Sequence, residues 1–351
     1  MNPRVAVVMA NYNKGAFVEE AIESILAQTM PDFECVVFDD GSTDGSLEII
    51  HRLAPRDRRL TVRTHPGHAN KGVNETMRAA VECTTAPFLA PLDSDDKWVP
   101  RALDVMLDRI GDAGTAYAKA RMVDEAGQPN GGVNGRAPDG SSDFFLQLLR
   151  SNSVCSAAVL MRRDAYLDAG GFRFGAPCQD LDLWLRLAAT STMTFIDEFV
   201  ADYRMTASSL NTATHLMHGR FGVYARHIEG AASWPGLPAE RAALAGSYAR
   251  AYDALEAIDR GEPAPHVRDD DVDALLYLLD AWCAEIPTLG REPGVWQSID
   301  LLTGMTTASR ERLRNQLRTN RRMRKPGPRT MVRQILARRA KRLRARADSS
   351  A

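Results

Sequence analysis

The sequence predicts an α/β fold with a mainly parallel sheet, followed by an α-helical C-terminal region. Three observations carry this. Between Val5 and Asp93 short apolar runs alternate with segments whose apolar residues recur at helical spacing, the pattern of parallel strands joined by helical crossovers. The polar motifs sit at the ends of such runs, and open parallel sheets bind ligands at the carboxyl ends of their strands. After about Asn211 helical segments separated by Pro and Gly take over.

Taken in order, Val5–Ala10 reads as a buried first strand, Asn11–Gly15 as a loop and Ala16–Gln28 as a helix with Phe17, Ala21, Ile25 and Leu26 on one face. Glu34–Phe38 is a second strand, closed by Asp39-Asp40-Gly41-Ser42-Thr43-Asp44-Gly45, which ends in a helix-start signal before Leu47. A third strand is expected at Leu60–Thr64, a helix across Asn74–Glu82, then a strand from Phe88 that ends at Asp93. Gly127–Ser142, rich in Gly, Pro and Asn, reads as a mobile loop or excursion. Phe144–Leu149, Arg163–Ala169 and Leu181–Ala189 read as helices, with a small-residue segment at Ser151–Ala158. Further helices are expected at Met217–Ile228, Ala239–Ile258, Val272–Ala284 and Val295–Leu302. The domains implied are 1–215, a helical region 216–308 and a basic, partly helical tail 309–351.

At 351 residues the chain can hold one large domain and a smaller one. Five scattered cysteines, with no Cys-x-x-Cys pair, fit a reducing compartment and argue against a structural zinc site. The apolar run at Val5 is too short for a signal-peptide core, and no run is long enough for a transmembrane helix. The net charge of −1 hides an asymmetry: 16 of the 44 Lys and Arg residues follow Ser309, against Glu311 and Asp348 as the acids there. Such a split marks a basic interaction tail.

The chemistry begins at Phe88-Leu-Ala-Pro-Leu-Asp93-Ser94-Asp95-Asp96, an apolar run ending in three acids within four positions. Carboxylates this close repel unless a cation neutralises them, and oxygen ligands suit Mg²⁺ or Mn²⁺ better than Zn²⁺. Such ions complete their shells with water and substrate phosphates, so the cluster points to a metal-bound phosphate ester. A solvated Asp-rich turn is the competing reading of these residues.

Four motifs occur in order: Ala10-Asn-Tyr-Asn13, Asp39-Asp-Gly-Ser-Thr-Asp44, Asp93-Ser-Asp-Asp96, and Gly170-Gly-Phe172 with Gln179-Asp180-Leu-Asp182-Leu-Trp-Leu-Arg186. Together, over about residues 4–211, they resemble the family 2 glycosyltransferases, inverting enzymes with the GT-A nucleotide-sugar-binding fold. The spacing from Asn70-x-Gly72 to Asp93 fits the same pattern. The resemblance implies that Tyr12 and Asp40 contact the nucleotide base, that Asp93 touches the donor ribose and that Asp95 binds the metal, Mn²⁺ or Mg²⁺. Asp180 matches the catalytic base, with Asp182 as its rival. A positioned carboxylate can take the proton of an acceptor hydroxyl as the new bond forms, and attack opposite the leaving diphosphate inverts the anomeric centre. Asp39-Asp40-Gly-Ser can also be a turn and helix cap, and Asp96 can start a helix rather than ligate. Trp184 and Leu185 continue an apolar helix face and read as core, and Cys155 is not expected to act as a nucleophile.

Two departures bear on the donor. Met77 stands where the family often has Arg, with Arg78 next to it as the candidate donor contact; and Tyr203-Arg-Met-Thr206 replaces a motif whose histidine helps hold metal or diphosphate. His215 and His218 could substitute, or be surface residues. The partners implied are a nucleotide-sugar donor, UDP-linked, and a glycan or lipid-linked acceptor, in cytoplasmic polysaccharide or cell-envelope synthesis. Met331–Leu343 has apolar residues at helical spacing among arginines, a pattern that suits either an anionic membrane surface on the inner face or a solvated helix. Nucleic acid is disfavoured because no Phe, Tyr or Trp follows residue 309. The chain lacks the Gly-rich fingerprint of dinucleotide enzymes and a P-loop; Lys14 is the one cation that Asn11–Gly15 offers for nucleotidyl transfer. The alternative function is a degenerate transferase acting as a non-catalytic binding or scaffold protein.

Overall fold

Val5–Asn11 alternates no polar residue until its end, and it forms the buried strand β1. The computed structural model describes residues 2–140, 143–174, 179–206, 220–260, 267–285 and 305–323. It contains two compact units, Met1–Ala249 and Arg250–Ala351.

In the first unit, β1 lies between two parallel neighbours, β2 (Phe33–Asp39) and β4 (Phe88–Pro91); β3 (Leu60–Thr64) extends the parallel set beyond β2. Helix α1 (Val18–Leu26) buries Val18, Ala21, Ile22 and Ile25, the 3.6-residue stripe that packs it on the sheet, and carries Glu19 and Glu20 in its first turn. Helices α2 (Ser46–Leu53) and α3 (Val73–Glu82) are the other two crossovers. The chain winds from β1 through β2 to β3 on one side and then returns to β4 on the other. The order therefore reverses between β1 and β4, which opens a crevice between the loops that follow them.

Beyond β4 the sheet becomes mixed. Strand β5 (Lys97–Trp98) and helix α4 (Ala102–Arg109) precede the long β6 (Thr115–Val123). Strand β7 (Pro129–Asn134) folds back antiparallel on β6; α5 (Phe144–Arg150), β8 (Val159–Arg162) and α6 (Arg163–Asp168) follow. After α7 (Gln179–Thr190), β9 (Met193–Arg204) runs parallel to β6 and antiparallel to β5. The strand order is β3-β2-β1-β4-β8-β6-β9-β5, with β7 on the side of β6. Pairing of Lys97 with Asp202 in antiparallel register sets the residues before β5 opposite the end of β9.

Helix α8 (Arg220–Ala232) packs on α7. Helix α9 (Ala239–Arg260) begins in the first unit and continues into the second. There, α10 (Val272–Glu285) packs on α11 (Thr307–Met323), and Asp269 Oδ1 accepts from the Thr306 amide at 3.1 Å and the Ser309 hydroxyl at 2.7 Å. No described helix is long and apolar enough to cross a membrane.

The expected parallel strands and crossovers are present, and β3 matches its expected range. Gly127–Ser142 is corrected in part: Pro129–Asn134 is a strand, which its Gly-rich composition hid because it sits on the open side of β6 with its residues largely exposed. Strands β5, β6, β8 and β9 and helix α4 add to the elements that the sequence pattern predicts. The expected helix Val295–Leu302, residues 217–219, His215, His218 and the Met331–Leu343 segment lie outside the described residues.

Candidate active site

Three loops converge at the carboxyl ends of β1, β2 and β4. Asn11 and Asp39 are the last paired residues of β1 and β2, directly opposite each other and fully buried. The Asn11 amide donates to Asp39 Oδ2 at 2.7 Å and shares its hydrogens with Ser46 Oγ at 3.0 Å and Ser42 Oγ at 3.1 Å. Asp39 also accepts from the amides of Gly41 and Ser42, the Ser42 hydroxyl and His68 Nε2. Burial works to raise its pKa, but the hydrogen bonds from Ser42, Asn11 and His68 outweigh it and hold the carboxylate below its ordinary value. Asp39 is thus the internal anchor of this loop. Gly41 is required at φ +81°, where a Cβ would meet the His68 carbonyl at 2.8 Å.

Asp40 is 3% exposed and binds the Asn70-x-Gly72 turn: its two oxygens accept from the amides of Lys71 at 2.7 Å and Gly72 at 2.9 Å. Two motifs that the sequence leaves unconnected, Asp39–Asp44 and Asn70-x-Gly72, thus meet in a direct contact. Tyr12 exposes 49% of its surface on the loop after β1. Arg78 lies on the exposed side of α3, where its ion-pair partners among the described residues are Glu75 at 3.0 Å and Glu82 at 3.9 Å of the same helix. Met77, one position away, is buried.

The acid cluster follows β4. Asp93 is partly buried and accepts a 3.3 Å hydrogen bond from the Ser156 hydroxyl. Desolvation, joined by the charges of Asp95 and Asp180, pushes its pKa up to about 7. Asp180, in the first turn of α7, is therefore electrostatically close to the cluster; its Oδ1 accepts from the Leu181 amide at 2.6 Å. Asp96 is almost fully buried and its pKa is well above the ordinary value, through burial and the charges of Asp93 and Asp95. Its Oδ1 accepts from the Arg204 amide at 2.7 Å, and its Oδ2 has no partner among the described residues.

Arg204, to which the sequence assigns no role, organises this turn. Its Nε donates to the Asp95 carbonyl at 2.9 Å, its Nη1 to the Glu125 carbonyl at 2.7 Å, and its Nη2 pairs with Glu20 of α1. The guanidinium also lies 5.0 Å from the Phe17 ring centroid. Only tertiary pairing of β5 with β9 brings it there, so no local signal could have found it. Thr206, two residues on, is buried.

The two acids of α7 sit in different surroundings. Asp182 is fully enclosed and pairs with Arg173 and with Arg186, each at 2.6 Å. Arg186 further donates to the carbonyls of Ala169 and Gly171. Asp182 is committed to holding the Gly170–Arg173 turn against α7. Trp184 and Leu185 are buried, as expected of core. Cys155 is buried too, and desolvation with the charges of Asp96, Asp93 and Asp180 pushes its thiol pKa well up, which disfavours a thiolate. His227 of α8 is buried, and desolvation lowers its pKa against the charges of Asp180 and Asp182; nothing in the sequence marked it.

Among the described residues no three His, Cys, Asp or Glu side chains converge as a metal cage. The donor set still fits Mg²⁺ or Mn²⁺: like-charged carboxylates raise one another's pKa here, and Asp96 Oδ2 is an orphaned buried oxygen. Ions of this class take one or two carboxylates and fill the rest of their shell from water and phosphate.

Residues 6–169 match the family model for glycosyl transferase family 2. An uncharacterized protein of Mycobacterium tuberculosis is 31% identical over 227 residues, which are 60% of this chain and 70% of that one. TuaG of Bacillus subtilis, named provisionally as a teichuronic acid biosynthesis glycosyltransferase, is 26% identical over 60% of this chain and 82% of its own length. Among solved structures, residues 1–349 of S. aureus TarS in complex with UDP-GlcNAc superpose with a TM-score of 0.55 at 17% identity, covering 92% of this chain and 90% of that one. A mannosyltransferase of Pyrobaculum calidifontis in complex with GDP-Man and Mn²⁺ gives 0.55 at 18% identity, covering 91% and 86%. These likenesses show the GT-A fold.

Proposed function

Because this chain belongs to glycosyl transferase family 2 and is a glycosyltransferase, we propose that it moves a sugar, with inversion and with a divalent metal, from a UDP-linked donor to a hydroxyl of a glycan or lipid-linked acceptor. One observation carries the reading furthest: Asp93, Asp95 and Asp180 share one electrostatic environment at the β1/β4 crevice, while Asp182 is locked away by two arginines. The solved relatives that hold UDP-GlcNAc and GDP-Man support a nucleotide-sugar donor, and the Mn²⁺ of one supports the metal.

In this reading Tyr12 stacks on the base and Asp40 faces its N–H; the two amides that Asp40 already binds leave each oxygen a second lone pair. Asp93 receives the ribose. Asp95 holds the Mn²⁺ or Mg²⁺, which when bound stabilises charge growing on the departing diphosphate. Asp180 accepts the proton of the acceptor hydroxyl as it attacks. Asp182, Arg173 and Arg186 keep α7 and the Gly170–Arg173 turn in place, and Arg204 keeps the Asp95–Asp96 turn in place. Residues 1–215 are the transferase domain in this reading, followed by the helical region 216–308 and the basic tail after Ser309, whose charge suits contact with either an anionic membrane surface or a protein partner. The charge asymmetry supports such a contact.

The test is nucleotide release from UDP-, GDP- and TDP-sugars with Mn²⁺, Mg²⁺ or EDTA, for the wild type and Asp95→Ala. Release from a UDP-sugar, abolished by EDTA and by the substitution, is the expected result. Donor binding that never leads to transfer with any acceptor, unchanged by Asp180→Asn, would favour the non-catalytic reading.

A further inference from the structure

Lys14 Nζ lies 2.6 Å from Asp95 Oδ2, an ion pair with both side chains partly buried. The pair spans the crevice at the switch point, from the loop after β1 to the loop after β4. Lys14 is aimed there by its neighbours. Asn13 adopts φ +52°, its amide donates to Ser42 Oγ at 3.0 Å, and its Oδ1 accepts from Thr43 at 2.8 Å. On the other side the Gly15 amide donates to Asp44 Oδ2 at 2.7 Å. Arg204 touches only the main-chain carbonyl of Asp95, so among the described residues Lys14 is the cation on that carboxylate.

We propose that Lys14 is a donor-phosphate residue which Asp95 holds in the metal-free protein and which a divalent cation releases. The inference rests on the reading of Asp95 as a metal ligand. The ammonium on Oδ2 and a divalent cation on the same carboxylate would repel at a separation of a few ångströms, so the two compete for Asp95. The ion pair is therefore weakened when the site is loaded. The freed ammonium is a compact charge on a flexible four-carbon stem, suited to phosphate oxygens, and the anion that arrives with the metal is the donor's diphosphate. One residue thus screens the acid cluster when the crevice is empty and grips the leaving group when it is filled.

The experiment uses the full chain. Binding of Mn²⁺ alone is followed by electron paramagnetic resonance for the wild type, Lys14→Met, Lys14→Arg and Asp95→Asn. Binding of UDP and of GDP at saturating Mn²⁺ is followed by calorimetry. Melting curves check folding, with Lys14→Gln as a second neutral variant. Removing the competing charge is expected to tighten Mn²⁺ binding by about fivefold or more and to weaken diphosphate binding by about tenfold, whereas Lys14→Arg stays within about twofold. Unchanged, weaker or undetectable Mn²⁺ binding in both neutral variants overturns the proposal, as does unchanged diphosphate affinity. Wild-type Mn²⁺ affinity in Asp95→Asn overturns the metal reading itself, and the proposal with it. Failure of the wild type to bind either diphosphate overturns the donor reading.

Discussion

Asp182 and Arg186 lie one turn apart on α7, both fully enclosed, and meet at 2.6 Å, while Asp180 in the same helix's first turn is partly open and acts on the charge of Asp93. Two carboxylates two residues apart thus sit in different environments, because successive residues of a helix face different sides.

That division gives opposite signatures for two conservative substitutions. Asp180→Asn is expected to lower kcat by roughly 10²–10⁴-fold with little change in Tm, the scale of a lost general base. Asp182→Asn leaves Arg173 and the enclosed Arg186 without their carboxylate, a loss on the order of 3 kcal/mol that Tm reports directly. The reverse pattern in paired melting and kinetic measurements would transfer the base to Asp182.

Arg204 makes a sterner test of the cluster's support. Lys has one point charge and cannot reach the Asp95 carbonyl, the Glu125 carbonyl and Glu20 together, so Arg204→Lys should behave nearly as Arg204→Met. Both should weaken metal binding and cost about 2–4 kcal/mol of stability. Full rescue by lysine, read by calorimetry with Mn²⁺, would show that charge alone is needed.

The pH dependence follows from Asp93. Its carboxyl is raised from 3.8 to about 7, so the folded chain retains this proton where the unfolded chain has lost it. Folding is then penalised progressively as pH rises from about 4 to about 7, and the full penalty stands above 7. Asp93→Asn removes the penalty. Its Tm in EDTA should exceed that of the wild type at pH 8 by an amount worth roughly 1–2 kcal/mol after solvent screening, and match it near pH 4. A constant difference across this range would contradict the assignment.

Asp40 separates scaffolding from recognition. Asp40→Asn keeps one carbonyl for the amides of Lys71 and Gly72 but sets an amide nitrogen against the other, a cost of about 1–3 kcal/mol. Loss of nucleotide binding with equal loss of stability would assign Asp40 to the turn. Loss of binding beyond that, compared across UDP and GDP, would assign it to the base as well.

The legible part of the molecule is the part in which neighbours in sequence are neighbours in space. Val5–Asn11 and Phe33–Asp39 are buried runs, Leu60–Thr64 is the partly exposed strand beside them, and helices with apolar stripes join them, so pattern alone located them. The acids of the Asp93 cluster were legible for the same reason, since their repulsion is written into adjacent positions. The mixed half of the sheet was not. Strands β5 and β8 have two and four residues, too short to show a period, and β7 is held by pairing with β6 rather than by its composition.

By itself, then, the sequence determined the parallel βα half of the first unit, the positions of the acids, and a family resemblance that the family match bears out. Tertiary structure alone decided which acids are enclosed and which are open, that Arg204 crosses from β9 to hold the Asp95–Asp96 turn, and that Lys14 meets Asp95. The reason is physical: strand and helix periodicity are local properties of the chain. The field at a carboxylate is the sum over groups that only the completed sheet brings within a few ångströms.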